Sequence, residues 1–380
     1  MAQQCRKSGG SKGQFEARSV NFRPLRQFDF SAFLYIIGSK RLRKRLQRRS
    51  KIATIKEVAD KAGVSTATVS HVINETRFVS EELRARVHQA MRELDYRPNV
   101  IARSLRRKKT QNIGMVIPDI SYPFLAEVAR GVEDIGFELG YNVILCDSNG
   151  DLEKEASCIE LFQGKRVDGI VFVAAGESAN HIQSLIEQGM PVILVDRDLT
   201  EIEADTVIAD DVESGYQATE YLIQSGHRRI GCITGPRKLR ISNKRVDGYK
   251  QALERYGLPL CDELLVHGDF RCRGGYEAMK ELLALDKPPT AVFACNDLMA
   301  MGAICAASKR RLRIPRDVAI IGCDDIALAA FTNPSLTTIA QPKHEMGAMA
   351  AKMLVERIED RNRPPTKQTL PTELVIRDSC

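Results

Sequence analysis

The chain has 380 residues, 43% of them hydrophobic, so it can bury a sizeable core and is long enough for more than one domain. Its net charge of +7 is unevenly spread: residues 1–51 hold fourteen Lys or Arg against two acids, residues 52–109 hold twelve against seven, and the other 271 residues are therefore acidic, at −10. A basic head on an acidic body points to phosphate contacts confined to the head. The ten cysteines are scattered, with no CxxC pair and no histidine at metal spacing, which argues for reduced thiols in a cytoplasmic protein and against a zinc site or a disulfide framework.

Residues 1–51 form a basic extension with little globular character. Phe30 to Ile37 is apolar but too short to span a bilayer, and the basic run Lys40 to Arg45 stands where a signal peptide needs a small-residue cleavage site. The expectation is neither membrane insertion nor secretion. This segment is read as disordered, or as upstream sequence added by an over-long gene model with the native start near Ile52. The rival is a real basic arm making non-specific phosphate contacts.

The stretch Thr54 to Asn74 reads as two short helices around a glycine turn. Ile55, Val58, Ala59 and Ala62 follow helical spacing, Gly63 lets the backbone leave, Val64 plugs the turn, and Ser65 is a good N-cap for the next helix. On that second helix Val69, Val72 and Ile73 face a core, which leaves Thr66, Ala67, Ser70 and His71 pointing away from it. Short polar side chains on a helix face suit the DNA major groove, where base edges are read at close range. The plain alternative is a helical hairpin with a polar face. Ser80-Glu81-Glu82 then opens a third helix, with a capping hydroxyl and two acids on its positive end, running through Val87, Met91 and Leu94.

After this head comes Tyr96-Arg97-Pro98-Asn99-Val100-Ile101-Ala102-Arg103-Ser104-Leu105. With the Thr54 to Asn74 motif, and with Val167-Asp168-Gly169, Gly268-Asp269-Phe270 and Gln341-Pro342-Lys343, the chain from about Ile52 onward resembles the lac repressor family of bacterial transcription regulators. The resemblance implies a helix-turn-helix DNA-binding domain at 52–97, a hinge helix and linker at 98–109, and a two-lobed ligand-binding and dimerisation domain at 110–380. It implies that Asn99 to Arg106 orders as a hinge helix when paired with its dimer mate on operator DNA, with Leu105 driven between base steps of the minor groove and Arg103 and Arg106 near the backbone or minor groove. The alternative is a plain linker.

From Asn112 onward short β-rich runs alternate with amphipathic helices. Buried strands are expected at Ile113 to Ile117, Asn142 to Cys146, Gly169 to Val173, Val192 to Val195, Ile230 to Ile233, Ala291 to Cys295 and Val318 to Gly322. The helices expected between and after them lie around Leu125 to Leu139, Glu153 to Gln163, Ala179 to Gln188, Arg245 to Tyr256, Gly274 to Leu285, Leu298 to Ser308 and Glu345 to Glu359. Such alternation makes the fold class α/β: parallel sheets with helices on both faces. In two blocks it resembles the periplasmic-binding-protein-like core that the family carries.

Ligands of parallel sheets bind beyond the carboxyl ends of the strands. Those ends supply Phe124, Arg197, Phe270, Asn296, Asp324 and Gln341, with Arg245 nearby on a helix. Rings to cover a C–H face and charged or amide groups to meet hydroxyls suit a compact polyhydroxylated molecule, a ribose-like sugar or sugar phosphate acting as inducer. Any one of these residues could instead be core or a helix cap. A purine effector is the alternative within the family. The family often has an aromatic residue where Cys323 stands, which puts that wall of the cleft in doubt, and the variable position of Ala67 leaves the operator sequence open.

The reading is a homodimeric, ligand-controlled transcriptional repressor that binds double-stranded operator DNA, with no cofactor and no metal. A sugar-binding transport protein would need export, and the helical head does not fit it. An enzyme is disfavoured because no GxGxxG, GxxxxGK[ST], GxSxG or HExxH motif occurs. The family's tetramers use an extra C-terminal leucine-rich helix. None follows Pro371 to Cys380, which favours a dimer.

Overall fold

The computed structural model describes residues 53–96, 109–173, 180–197, 199 and 201–380. It divides into two compact units, 1–99 and 100–380. The hinge segment expected at Asn99 to Arg106, with Arg103, Leu105 and Arg106, lies outside the described residues, as do the basic extension 1–51 and Ile52.

The head is three helices, α1 (Ile55–Ala62), α2 (Thr66–Asn74) and α3 (Glu81–Glu93). Thr54 starts α1 with a reciprocal cap: its N–H donates to Glu57 Oε2 at 2.7 Å, and its hydroxyl accepts from Glu57 N at 3.3 Å. Gly63 ends the helix at φ +65, a conformation glycine adopts without cost, and sends its N–H back to the carbonyls of Ala59 and Asp60. Ser65 then caps α2 by accepting from Thr68 N at 3.0 Å. Ser80 departs from expectation: its side chain makes no cap bond, and Glu81 and Glu82 offset the dipole of α3 by charge instead. Val58, Ala59, Val69, Val72, Val87 and Ala90 form the small core, and Arg86 ties α3 to the carbonyl of Ala62 at 2.6 Å.

The larger unit holds two six-stranded sheets. The first lobe has β1 (Asn112–Ile117), α4 (Pro123–Glu138), β2 (Asn142–Asp147), α5 (Leu152–Lys165), β3 (Gly169–Val173), α6 (Asn180–Glu187), β4 (Val192–Val195) and β5 (Asp205–Ala209). The chain then crosses to the second lobe. There it forms α7 (Asp211–Gln224), β6 (Ile230–Thr234), α8 (Arg240–Arg255), β7 (Leu265–His267), α9 (Cys272–Leu282), β8 (Ala291–Ala294), α10 (Asp297–Lys309), β9 (Ala319–Asp324) and β10 (Thr337–Ala340). It returns to the first lobe for α11 (Lys343–Glu359) and β11 (Lys367–Leu370), and ends in the second with β12 (Glu373–Val375). The sheet orders are β11-β5-β4-β3-β1-β2 and β12-β10-β9-β8-β6-β7, parallel except that β12 runs antiparallel to β10.

Helix α11 is fastened to α4 through two glycines: a Cβ at Gly131 would lie 2.1 Å from the His344 carbonyl oxygen, and one at Gly347 would lie 2.0 Å from that of Val128. Strand β2, expected to be buried, is an edge strand with one side unpaired, and its residues are exposed or half-buried. The other expected strands of the two sheets are buried along their length. Among the described residues no helix is long and apolar enough to cross a membrane.

Candidate functional site

On α2 of the head, Thr66 and Ala67 are exposed, while Ser70 and His71 are half-buried. His71 Nδ1 lies 2.8 Å from Thr76 Oγ1, which fixes the ring and leaves Nε2 as its other polar atom. Asn74 Nδ2 donates to the Ser70 carbonyl at 2.8 Å and reaches the Ser70 hydroxyl at 3.3 Å, so that hydroxyl is engaged within the helix. Thr66 and Ala67, in the first turn, present the unencumbered surface.

In the larger unit a cavity of about 830 Å³ opens between the two lobes at the carboxyl ends of their strands. Phe124, Arg245, Phe270 and Asp324 line it, four of the seven residues picked from the sequence. Phe270, at φ +62 beyond β7, lays its ring over Gly235, where a Cβ would come within 2.2 Å of Phe270 Cζ. Phe124 is buried at the start of α4 with its ring centroid 5.9 Å from that of Tyr122.

Arg245, 2% exposed, donates through Nε to Asp211 Oδ1 at 2.8 Å, and through Nη1 to the Cys295 carbonyl at 2.5 Å and Asp324 Oδ1 at 3.2 Å. A buried guanidinium so placed is held by two carboxylates and a carbonyl, which is what keeps a desolvated charge tolerable. Asp324 sits at φ +116, a strained backbone for a residue with a side chain, and strain of that kind gathers at functional sites. Gln341 Nε2 donates to its Oδ1 at 2.6 Å, and the Tyr122 hydroxyl bonds Oδ2. Lys343 Nζ donates to the carbonyls of Asp324 and Asp325, both at 2.7 Å, and so holds the turn. Burial raises the Asp324 pKa, against the pull of Arg245 and of its hydrogen-bond donors. Burial and then the charge of Asp324 push the Tyr122 phenol well above its ordinary range.

Asn296 and Gln341 do not line the cavity but bond the residues that do. Asn296 caps α10 by accepting from Met299 N at 2.9 Å, and it donates to the Tyr122 hydroxyl at 2.9 Å and to the Phe270 carbonyl at 3.0 Å. Arg197 is placed elsewhere: it is buried against Glu155, with Nη1 3.5 Å from Oε1. Its neighbour Asp196 lines the cavity instead: the chain turns at Asp196, φ +51, just past the end of β4 from which Arg197 was read. Asp196 is 4% exposed, and its Oδ1 has no hydrogen-bond partner among the described residues. Burial first, and the charge of Asp211 second, hold its carboxyl well above the usual carboxylate range.

Sequence reasoning missed Tyr122, Asp196 and Asp211. It also missed the rim pair of Arg271 Nη2 and Asp119 Oδ2, 3.0 Å apart from opposite lobes. Tyr122 had a usable signal, an aromatic residue just before the proline that opens α4. Among the described residues no cluster of His, Cys, Asp or Glu is arranged to hold a metal ion.

A three-helix head with a polar second helix and a two-lobed α/β core, whose inter-lobe cavity sets a few buried charged groups in an apolar lining, define a ligand-responsive DNA-binding regulator. Comparison with known proteins gives the family. Residues 54–99 match "Bacterial regulatory proteins, lacI family", and residues 219–380 match "Periplasmic binding protein-like domain". The chain is 42% identical over 331 residues to the HTH-type transcriptional repressor PurR of Proteus mirabilis, covering 86% of this chain and 97% of that protein. It is 43% identical over 309 residues to the ribose operon repressor of Escherichia coli K12, covering 81% and 93%. A crystal structure of the lac repressor dimer bound to operator and the anti-inducer ONPF superposes with a TM-score of 0.78 at 26% identity, over 87% of this chain and 99% of that one. The chain belongs to the lacI family of bacterial regulatory proteins: it is a DNA-binding transcriptional repressor under small-ligand control, and not an enzyme.

Proposed function

We propose that this repressor is a homodimer whose effector is a pentose, ribose first, or its phosphate, acting as an inducer inside the cytoplasm. The observation that carries the effector is the buried Asp324 and Arg245 in the cavity wall beside Phe124 and Phe270, with Gln341 behind them bonding Asp324 and Asn296 bonding Tyr122 and Phe270. A carboxylate and a guanidinium meet hydroxyls with directional bonds, and rings cover the C–H face of a sugar. The resemblance to a ribose operon repressor supports the same choice. Likeness to a repressor solved as a dimer supports the homodimer. Two recognition helices related by a two-fold axis imply a pseudo-palindromic operator, with Thr66, Ala67, Ser70 and His71 toward the bases. Arg103, Leu105 and Arg106 would act at the minor groove.

The test is a thermal-shift screen of pentoses, their phosphates and purines, followed by footprinting on the DNA upstream of the gene with and without the hit. Ribose should stabilise the protein and release the footprint. A second reading, a purine as effector, draws on the aromatic surfaces of Tyr122, Phe124 and Phe270 and on likeness to PurR. Binding of hypoxanthine or guanine, with no heat from ribose or its phosphates, would put that reading in place of the first.

A further inference from the structure

Tyr122 belongs to the first lobe, at the start of α4, yet its hydroxyl ends among groups of the second. It bonds Asp324 Oδ2 and lies 2.9 Å from Asn296 Nδ2. The orientation of the Asn296 amide is fixed, because its oxygen is taken by Met299 N at 2.9 Å, and only its NH2 can face the phenol. The other oxygen of Asp324 is taken by Gln341 at 2.6 Å and Arg245 at 3.2 Å, all of them donors, so Asp324 acts here as an acceptor.

An atom seated between Asp324 Oδ2 and Asn296 Nδ2 must therefore donate to one and accept from the other. A carbonyl oxygen would satisfy Asn296 and oppose Asp324, whereas a ring N–H would satisfy Asp324 and meet the Asn296 hydrogens head-on. A hydroxyl does both. We propose that Tyr122 occupies this pair as an internal surrogate, which a hydroxyl of the effector must displace. The inference rests on the sugar reading above and sharpens it, since it selects an alcohol over a planar heterocycle.

Two consequences follow from the geometry. Molecules with the phenol in place are closed to the effector, so apparent affinity is lowered by the fraction of the population so capped. The same bond joins the two lobes, so displacing it changes what holds them together. Tyr122→Phe keeps the ring beside Phe124 and removes only the hydroxyl.

The experiment is calorimetry of D-ribose and of hypoxanthine on the full chain and on Tyr122→Phe, with small-angle scattering of both proteins free of ligand. Ribose should bind the variant about tenfold more tightly, the scale of one lost competing hydrogen bond to a charged group, and hypoxanthine should show no such gain. The ligand-free variant should scatter as the more open particle. Ribose binding that is unchanged or weaker in the variant, while the parent binds ribose, overturns the surrogate role and makes the phenol a bystander or a direct contact. An unchanged scattering radius overturns the bridge between the lobes. If neither protein binds ribose, the sugar reading itself falls and the proposed effector class falls with it.

Discussion

Replacing Asp324 by asparagine tests the cavity's central acceptor without emptying the space it fills. In the structure Asp324 takes hydrogens from Gln341 at 2.6 Å, Arg245 at 3.2 Å and Tyr122. The amide oxygen of asparagine can keep Gln341 and Arg245, while its NH2 turns to the phenol oxygen. Arg245 still holds Asp211 at 2.8 Å and the Cys295 carbonyl at 2.5 Å, so its charge is not stranded. The stability loss should therefore be that of one disturbed buried donor, about 1–3 kcal/mol rather than the 3–5 kcal/mol of a broken buried pair. At about 2–4 °C per kcal/mol for a large unit, the melting temperature should fall by roughly 2–12 °C.

The effector should suffer more. A hydroxyl that loses a charged acceptor loses about 1.5–3 kcal/mol, which weakens ribose binding about tenfold to 150-fold. Calorimetry reads the affinity, a melting curve reads the stability, and footprinting reads the operator. Binding to operator should persist, giving a repressor that ribose no longer releases. A dissociation constant within twofold of the parent, in a protein that still melts cooperatively, would refute the reasoning that places Asp324 against a ligand hydroxyl.

Asp196→Asn should raise the melting temperature at neutral pH. Its buried carboxyl has a raised pKa, so the stability this group contributes is present below the ordinary carboxylate range and is lost as pH rises through the folded value; the variant should lack that dependence, and an unchanged Tm at pH 7 would count against it. His71→Ala should blunt discrimination between the operator and its single-base variants by ~1–3 kcal/mol at one position, measured by competition binding, whereas equal weakening on random DNA would show a phosphate contact only. Arg271→Ala removes an exposed rim bridge to Asp119, so stability should change by less than about 1 kcal/mol while ribose dissociates severalfold faster in stopped flow; an unaltered off-rate would mean the pair does not span the closed cleft in solution.

The central strands were legible because they are continuous apolar runs closed by turn residues, and Ala291–Ala294 or Val192–Val195 could hardly be anything else. Strands β5, β7, β10, β11 and β12 escaped notice for the opposite reason. Several carry polar residues: Lys367–Leu370 reads KQTL, Thr337–Ala340 reads TTIA and Asp205–Ala209 reads DTVIA, while Leu265–His267 and Glu373–Val375 are three residues each. Helix α7 was missed because Asp211–Gln224 mixes acids, glycine and tyrosine over a modest apolar face. At the cavity, reading the end of β9 found Asp324, Phe270 was picked after Gly268-Asp269 without β7 being read, and at the end of β4 Arg197 was taken where Asp196, one residue earlier, lines the cavity. The aromatic before Pro123 could have marked Tyr122, but its contacts could not be read, since Asp324 and Asn296 are 202 and 174 residues away in sequence.

The places where the chain crosses between lobes explain how binding and lobe angle become one quantity. The first crossing, after β5, leads into Asp211, which holds Arg245; the second, after β10, carries Gln341 and Lys343, which hold the side chain and the backbone of Asp324. Residues that would read the effector are thus bonded to the segments about which the lobes would turn. A ligand shifts such an equilibrium only by the difference in its affinity for the two arrangements, typically about 1–3 kcal/mol of coupling. On the proposed reading Arg245 and Asp324 would supply that difference, because a rotation at the first or second crossing would move Asp211 or Gln341 and so alter the bonds that fix them. A substitution at Gln341 should therefore change the response to effector and the lobe equilibrium together, even though its side chain does not line the cavity.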